Sequence, residues 1–177
     1  MRVLLSAALL AAAYTGAYAQ SSEPAKVEET VIEGVGLSDT IPCEGRDIGV
    51  YGADNKINLT GACGNVVVHG DGHTVSVDQA KQLSISGAGH TVTATSVATL
   101  IIETTENTVT ATVDGEPGSV TISGADQVAN LTLESAAKIA VSGTQQTVNW
   151  SLAADAPEPT VDIDGIDNAV NRVDGLD

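Results

Sequence analysis

The three histidines are the side chains in this sequence best suited to chemistry. His73 and His90 each stand three residues after a glycine, and His69 and Asp71 lie close to the first of them. Two imidazoles and a carboxylate are a ligand set that can hold zinc. The alternative is structural, because the same position after other glycines carries Asn or Gln, whose amides can hydrogen-bond along a stack. The sequence favours such a ladder, and no metal site is assigned.

An acidic cluster near the end of the chain is a second candidate for metal binding. It contains Asp162, Asp164 and Asp167, and oxygen ligands at alternate positions suit calcium. The cluster lacks the third spaced ligand and the distal Glu of an EF-hand loop, and it does not match the glycine-rich nonapeptide calcium repeat. The favoured interpretation is that these acids protect the edge of a β structure from further strand pairing.

Threonine and asparagine recur at alternate positions of several predicted strands. The strongest candidate binding residues are Thr91, Thr93, Thr95, Thr108, Thr110 and Thr112. Side chains at alternate positions of a strand share one side of the sheet, so the pattern predicts a flat, uncharged face. Such a face can bind a repeating lattice such as a glycan or ice. The alternative is that Thr is frequent there because it favours exposed strand positions.

Catalytic motifs do not appear in the sequence. It has no nucleophile elbow, phosphate-binding loop or HExxH sequence. Some polysaccharide lyases and hydrolases do use β-helices, which keeps a glycan-active enzyme as an alternative. A lyase acting on acidic sugars needs a basic groove, however, and the chain holds only 7 Lys and Arg against 23 Asp and Glu. No catalytic residue and no cofactor is therefore assigned.

One repeat positions all of these residues: apolar-x-apolar-x-Gly-x-x-polar-x-apolar-x-apolar. It recurs seven times in steps of 17 to 22 residues, and a single unit of that length cannot bury its apolar side alone. The first two apolar columns are Ile48, Val66, Leu83, Leu100, Val120, Ile139, Val161 and Val50, Val68, Ile85, Ile102, Ile122, Val141, Ile163. The polar column is Asn55, His73, His90, Asn107, Gln127, Gln146 and Asn168.

The repeat predicts an all-β fold, a single-domain parallel β-helix of about seven coils. A sandwich or a propeller would need antiparallel hairpins with turns every 8–12 residues, whereas this turn pattern recurs once per repeat. A right-handed helix is favoured by the handedness of parallel crossovers. The predicted helix covers residues 31–177, with an N-terminal cap at 31–45.

The start of the chain predicts export. Arg2, an apolar run and Ala17-Tyr18-Ala19 form a secretory signal peptide over residues 1–19, followed by a flexible segment at 20–30. The run is too short for a permanent membrane span, and no later segment is apolar for long enough. The net charge of −16 disfavours binding to nucleic acid.

The two cysteines, Cys43 and Cys63, lie 20 residues apart, about one coil. In an exported chain such a pair predicts a disulfide that joins neighbouring coils. Two free thiols or a metal-binding pair are the alternatives, although no other soft ligand lies in the same repeat.

Several segments share one pattern. They are Val50-x-Gly52-x-x-Asn55-x-Ile57-x-Leu59-Thr60-Gly61-x-Cys63, Val68-x-Gly70-x-Gly72-His73-x-Val75-x-Val77-Asp78 and Val141-x-Gly143-x-x-Gln146-x-Val148-x-Trp150. With Ile32-Glu33-Gly34 and Cys43 before them, they resemble the exported bacterial family catalogued as domain of unknown function 3060. The resemblance covers residues 30–152 and implies a cell-envelope or secreted location without implying an activity. Gln146 departs from the Asn of that pattern, and the acidic coil after Pro159 lies beyond it.

These observations predict an exported, non-catalytic protein with a structural or adhesive role in the cell envelope. The expected partners are envelope proteins or an envelope glycan. A module that binds a glycan or other lattice through the Thr/Asn face is the alternative, and a polysaccharide-active enzyme ranks third.

Overall fold

The structure is a computed structural model that describes residues 29–175. The predicted signal peptide, and all but the last two residues of the predicted flexible segment, lie outside the described residues. Thirteen strands and no helix are found in the described part of the chain. The strands are β1 Glu29–Val35, β2 Ser38–Pro42, β3 Asp47–Ala53, β4 Lys56–Asp71, β5 Thr74–Ala88, β6 Thr91–Ile102, β7 Thr108–Val113, β8 Gly118–Ile122, β9 Val128–Leu133, β10 Ala137–Val141, β11 Thr147–Leu152, β12 Thr160–Ile163 and β13 Ala169–Arg172.

All pairings between the strands are parallel, and each strand of the inner turns pairs with the strand one turn before it and the strand one turn after it. Two ladders result, β1-β3-β4-β5-β6-β8-β10-β12 and β2-β4-β5-β6-β7-β9-β11-β13. The long strands β4, β5 and β6 take part in both ladders. The fold is thus a parallel β-solenoid of about eight turns, which confirms the all-β parallel β-helix predicted from the repeat.

The additional turn is the segment that was expected to be an N-terminal cap. In β1, Glu29 to Val35 pair in register with Asp47 to Ala53 of β3, and β2 pairs with the start of β4. The segment therefore has the geometry of a full turn. This turn departs from the repeat pattern because Leu37 takes the polar position that Asn55 holds in the next turn, and Asp39 takes the apolar position of Ile57.

The core lies between the two ladders and follows the predicted apolar columns. Their side chains are almost fully buried from the second to the seventh turn, including Ile48, Leu83, Leu100 and Ile139 at 0% exposure. Full burial of each such side chain contributes about 1.5–3 kcal/mol. In residues 29–175 no further turn follows the last one, and Ile163 is 50% exposed. Among the described residues, no strand covers the outer side of β12.

The glycine of each repeat turns the chain at a corner. Gly87 has φ +110°, a conformation that side chains disfavour. A Cβ at this position would also collide with the carbonyl oxygen of Gly70 in the preceding turn. The glycine column thus follows from two requirements, the positive φ and the close approach of the next turn.

The two cysteines meet as the sequence predicts. Their Sγ atoms lie at disulfide-bonding distance, with Cα atoms 4.8 Å apart, and both residues are buried. Cys43 follows β2 in the first turn and Cys63 lies in β4 of the second. The bond therefore ties the first turn to the second. Residues 29–175 contain no helix of the length and apolar character that a membrane span requires.

Candidate functional site

The predicted Thr/Asn face lies on the outer side of the second ladder. Thr91, Thr93, Thr95, Thr108 and Thr110 are exposed, and Thr112 is half-exposed. Apolar residues alternate with them and point inward. The alternation that predicted the face therefore holds in these two strands.

The six threonines form three pairs at corresponding positions of β6 and β7, and two of these pairs are in strict register. Thr91 pairs with Thr108 and Thr93 pairs with Thr110, so each pair stands on neighbouring strands. Neighbouring strands are about 4.8 Å apart. The third pair is different, because the register shifts after Ala94 and Thr95 does not stand opposite Thr112. The regular array is thus narrower than the sequence suggested.

The N-terminal part of this face is concave and not flat. A groove of about 600 Å³ crosses the first four turns, within the range of volumes typical of ligand sites. Its lining side chains are mostly short and polar: Ser38, Thr40, Asn58, Thr74, Ser76, Thr91 and Thr93, with Asp39 and Lys56 as the charged members. Of the six threonines predicted to bind, Thr91 and Thr93 line the groove, and the other four lie outside its lining.

The C-terminal part of the face is a ladder of amides. Asn149 donates a hydrogen bond from Nδ2 to Oδ1 of Asn130 at 3.0 Å, and Asn171 donates to Asn149 at 3.4 Å. These amides satisfy part of each other's hydrogen-bonding capacity, which leaves less of it for a ligand. Hydroxyl groups in the groove are therefore the better candidates for contact with a ligand.

The polar residues that follow each glycine form a separate ladder of hydrogen bonds, which lies inside the corner. Each side chain accepts a hydrogen bond from the backbone N–H of the corresponding residue one turn earlier: Leu37 to Asn55, Asn55 to His73, His73 to His90, His90 to Asn107, Asn107 to Gln127, Gln127 to Gln146 and Gln146 to Asn168. The predicted ladder thus exists, but it runs through the backbone and not from amide to amide. All buried side-chain polar atoms in the described residues have a partner.

The two inner histidines are members of this ladder. Their rings stack in parallel planes with centroids 5.0 Å apart. Nδ1 of each ring accepts a backbone N–H, and Nε2 faces the carbonyl oxygen of the residue four positions earlier, His69 for His73 and Ser86 for His90. Burial lowers the pKa of His90. Since both nitrogens of both rings are engaged, the geometry supports the ladder over the zinc alternative.

The acidic last turn is open to solvent. Asp162, Asp164 and Asp167 are all exposed, and Asp164 accepts a hydrogen bond from the backbone N–H of Gly165. Within residues 29–175, no three His, Cys, Asp or Glu side chains converge as metal ligands would. Of the three, only Asp162 lies within β12, and the interpretation that these acids protect a strand edge stays a prediction.

Comparison with known proteins gives one match. A family model described as "Protein of unknown function (DUF3060)" matches residues 50–107 and 102–165, which together exceed half of the chain. The match includes the start of the acidic last turn, which the sequence resemblance had placed outside the family pattern. Neither the curated proteins nor the solved structures contain a match to this chain.

Proposed function

The chain belongs to the family described as protein of unknown function DUF3060, and we propose that it is an exported, non-catalytic adhesive protein whose Thr/Asn face binds an extended glycan of the cell envelope. The observation that carries the proposal is the groove across the first four turns, lined by hydroxyl and amide side chains on parallel rungs. The disulfide-bonded pair of cysteines supports export, because such bonds persist in oxidising compartments.

The character of the groove favours a polymer over a small molecule. A single hydrogen bond contributes only about 0.5–1.5 kcal/mol net, and only Asp39 and Lys56 among the lining residues are charged. Useful affinity therefore requires many equivalent contacts. A ligand that repeats along the solenoid axis meets one rung of hydroxyls after another, since Thr74 pairs with Thr91 and Ser76 with Thr93.

Charge placed on the face tests the proposal. The variant T93D/T110D places two carboxylates at the middle pair of threonines on neighbouring turns. A neutral glycan that packs against them would remove water from their charges without replacing it, which is unfavourable. We expect co-sedimentation with isolated envelope polysaccharide to fall at least about tenfold, the equivalent of 1.4 kcal/mol.

The matched control is T99D/T121D. It makes the same two replacements on neighbouring strands of the other ladder, β6 and β8, away from the groove. We expect this variant to bind as the wild type does. Equal binding by all three proteins, or no binding of the wild type to any envelope polysaccharide, would reject the proposed function.

A further inference from the structure

We propose that the stacked pair His73 and His90 is an acid-sensitive joint, at which proton uptake opens the ladder between the second and fourth turns of the solenoid. The inference concerns the ladder inside the corner and does not depend on what the outer face binds. Both residues are inaccessible to solvent, at 0% and 1% exposure.

The hydrogen bonds fix where each ring carries its proton. Nδ1 of His90 lies 3.0 Å from the backbone nitrogen of His73, and Nδ1 of His73 lies 3.2 Å from that of Asn55. A backbone N–H can only donate, so Nδ1 must be the unprotonated nitrogen of each ring. The proton is on Nε2, where it is donated to the carbonyl oxygens of His69 and Ser86.

A second proton on either ring is incompatible with this arrangement. An Nδ1–H would point at a backbone N–H, so that one attractive contact would become a contact between two donors. The new charge would also lie on a side chain that is buried from solvent. Since the ring centroids are only 5.0 Å apart, a charge on one ring further opposes a charge on the other.

Some of the groups around the two rings favour protonation of His90, and others oppose it. Burial has the largest effect and lowers the pKa of His90. The hydrogen bond to the carbonyl oxygen of Ser86 and the charge of Asp71 favour a proton on His90, whereas His73 and His69 oppose it. Asp54 lies against Gly72, and Asp71 is the acid nearest to Gly89. Glu106 occupies the corresponding corner position one turn later. These carboxylates do not reverse the effect of burial.

The sign of the pH effect follows from the neutral rings. An unfolded or opened segment binds protons with the usual histidine pKa of about 6.5, whereas the closed ladder resists them. The contribution of neutral His90 is therefore complete above about pH 6.5, and it falls as the pH drops from there toward the lowered pKa of this residue. The remaining side chains of the ladder are amides, which do not titrate, so the sensitivity is confined to these turns.

Hydrogen exchange of the ladder amides, followed by NMR on the full chain, tests the joint. The backbone amides of Asn55 and His73 report on it, and that of Gln127, which donates to Gln146, is an internal reference. Between pH 7.5 and 5.0, after correction for intrinsic exchange, we expect the protection of the first two to fall about tenfold or more relative to Gln127. An unchanged ratio would overturn the proposal.

The variant H73N/H90N is the matched control. Asn107 already accepts and donates at this position in the next turn, so the ladder can be completed without titratable groups. We expect its protection ratio to be the same at both pH values. A loss equal to that of the wild type would show that the histidines are not responsible.

Imidazole ¹⁵N shifts of the wild type provide a readout that does not require the variant to fold. The proposal predicts neutral rings protonated on Nε2 at pH 7.5, and doubly protonated rings only when the Asn55 and His73 amides lose protection. Rings that become charged while those amides stay protected would overturn it.

Discussion

At the scale of single residues, Thr104 is the exception in the glycine column. It has φ +77°, a conformation that is costly for a β-branched residue. The neighbouring turns carry glycine at this position, Gly87 before it and Gly124 after it. Its hydroxyl accepts a hydrogen bond from the backbone N–H of Gly87, which compensates part of the strain.

Replacing this threonine by glycine should stabilise the fold. Relief of the backbone strain gains about 1–3 kcal/mol, and the greater chain entropy of glycine costs about 0.5–1 kcal/mol. Loss of the hydroxyl costs little, because the hydrogen bond from Gly87 is exposed and water can replace it. We expect the T104G variant to raise the free energy of unfolding by about 1 kcal/mol, measured by urea denaturation. The opposite change, G124A, should destabilise, because its Cβ would collide with the carbonyl oxygen of Thr104. A T104G variant less stable than wild type would refute the assignment of strain.

At the scale of elements, a disulfide bond and the side chain of Arg46 link the first turn to the second in addition to strand pairing. Arg46 donates hydrogen bonds to the hydroxyl of Thr30 and to the carbonyl oxygens of Pro42 and Cys43. The disulfide closes a loop with a sequence separation of 20. By chain-entropy arguments, such a loop stabilises by about 3 kcal/mol. Since β1 pairs only with β3 among the described strands, the bond and Arg46 contribute much of what holds this end.

Removal of the disulfide should therefore weaken the N-terminal turns first. For the C43A/C63A variant we expect a loss of about 3 kcal/mol of stability and faster hydrogen exchange in β1 and β2 than in β9. Reduced wild type is the control and should behave in the same way. An unchanged urea midpoint in both would mean that packing and Arg46 hold the first turn without the bond.

The elements also show how far the sequence alone predicts this fold. The apolar columns and the glycine spacing were sufficient for the parallel helix, because each turn repeats the same burial requirement. The first turn was missed because Leu37 and Asp39 replace the residues that identify a repeat. The hydrogen-bond partners in the ladder inside the corner were missed for a different reason. Spacing predicts which side chains stack, but the corner geometry decides whether an amide faces a neighbouring amide or a backbone N–H.

The candidate site was predicted only in part, because its shape depends on how successive turns are offset. Period-two alternation placed the threonines outward, and this prediction rests on strand geometry alone. The register shift beyond Ala94 and the concavity of the first turns arise from how successive turns are offset. These offsets depend on the whole stack and are not encoded in any single repeat.

At the scale of the whole molecule, the two ends of the solenoid differ. The N-terminal end is fastened by a disulfide, whereas the C-terminal turn has only non-covalent contacts within the described residues. All four residues of β12 are exposed. Arg172 contacts Glu158, and its guanidinium lies 5.5 Å from the centre of the Trp150 ring, so that it partly covers the last inward aromatic side chain.

Because each turn contacts only its neighbours, stability should change stepwise along the stack. We expect backbone amides of β12 and β13 to exchange fastest, those of β10 and β11 more slowly, and those of β5 and β6 slowest. The R172A variant should speed exchange in β13 and β11 by several-fold, as loss of a cation–π contact of about 0.5–1 kcal/mol implies, without changing β5. R46A is the matched control at the other end and should affect β1 instead. Uniform exchange across all turns, in wild type and both variants, would show that the solenoid opens as one cooperative unit and that its ends have no independent stability.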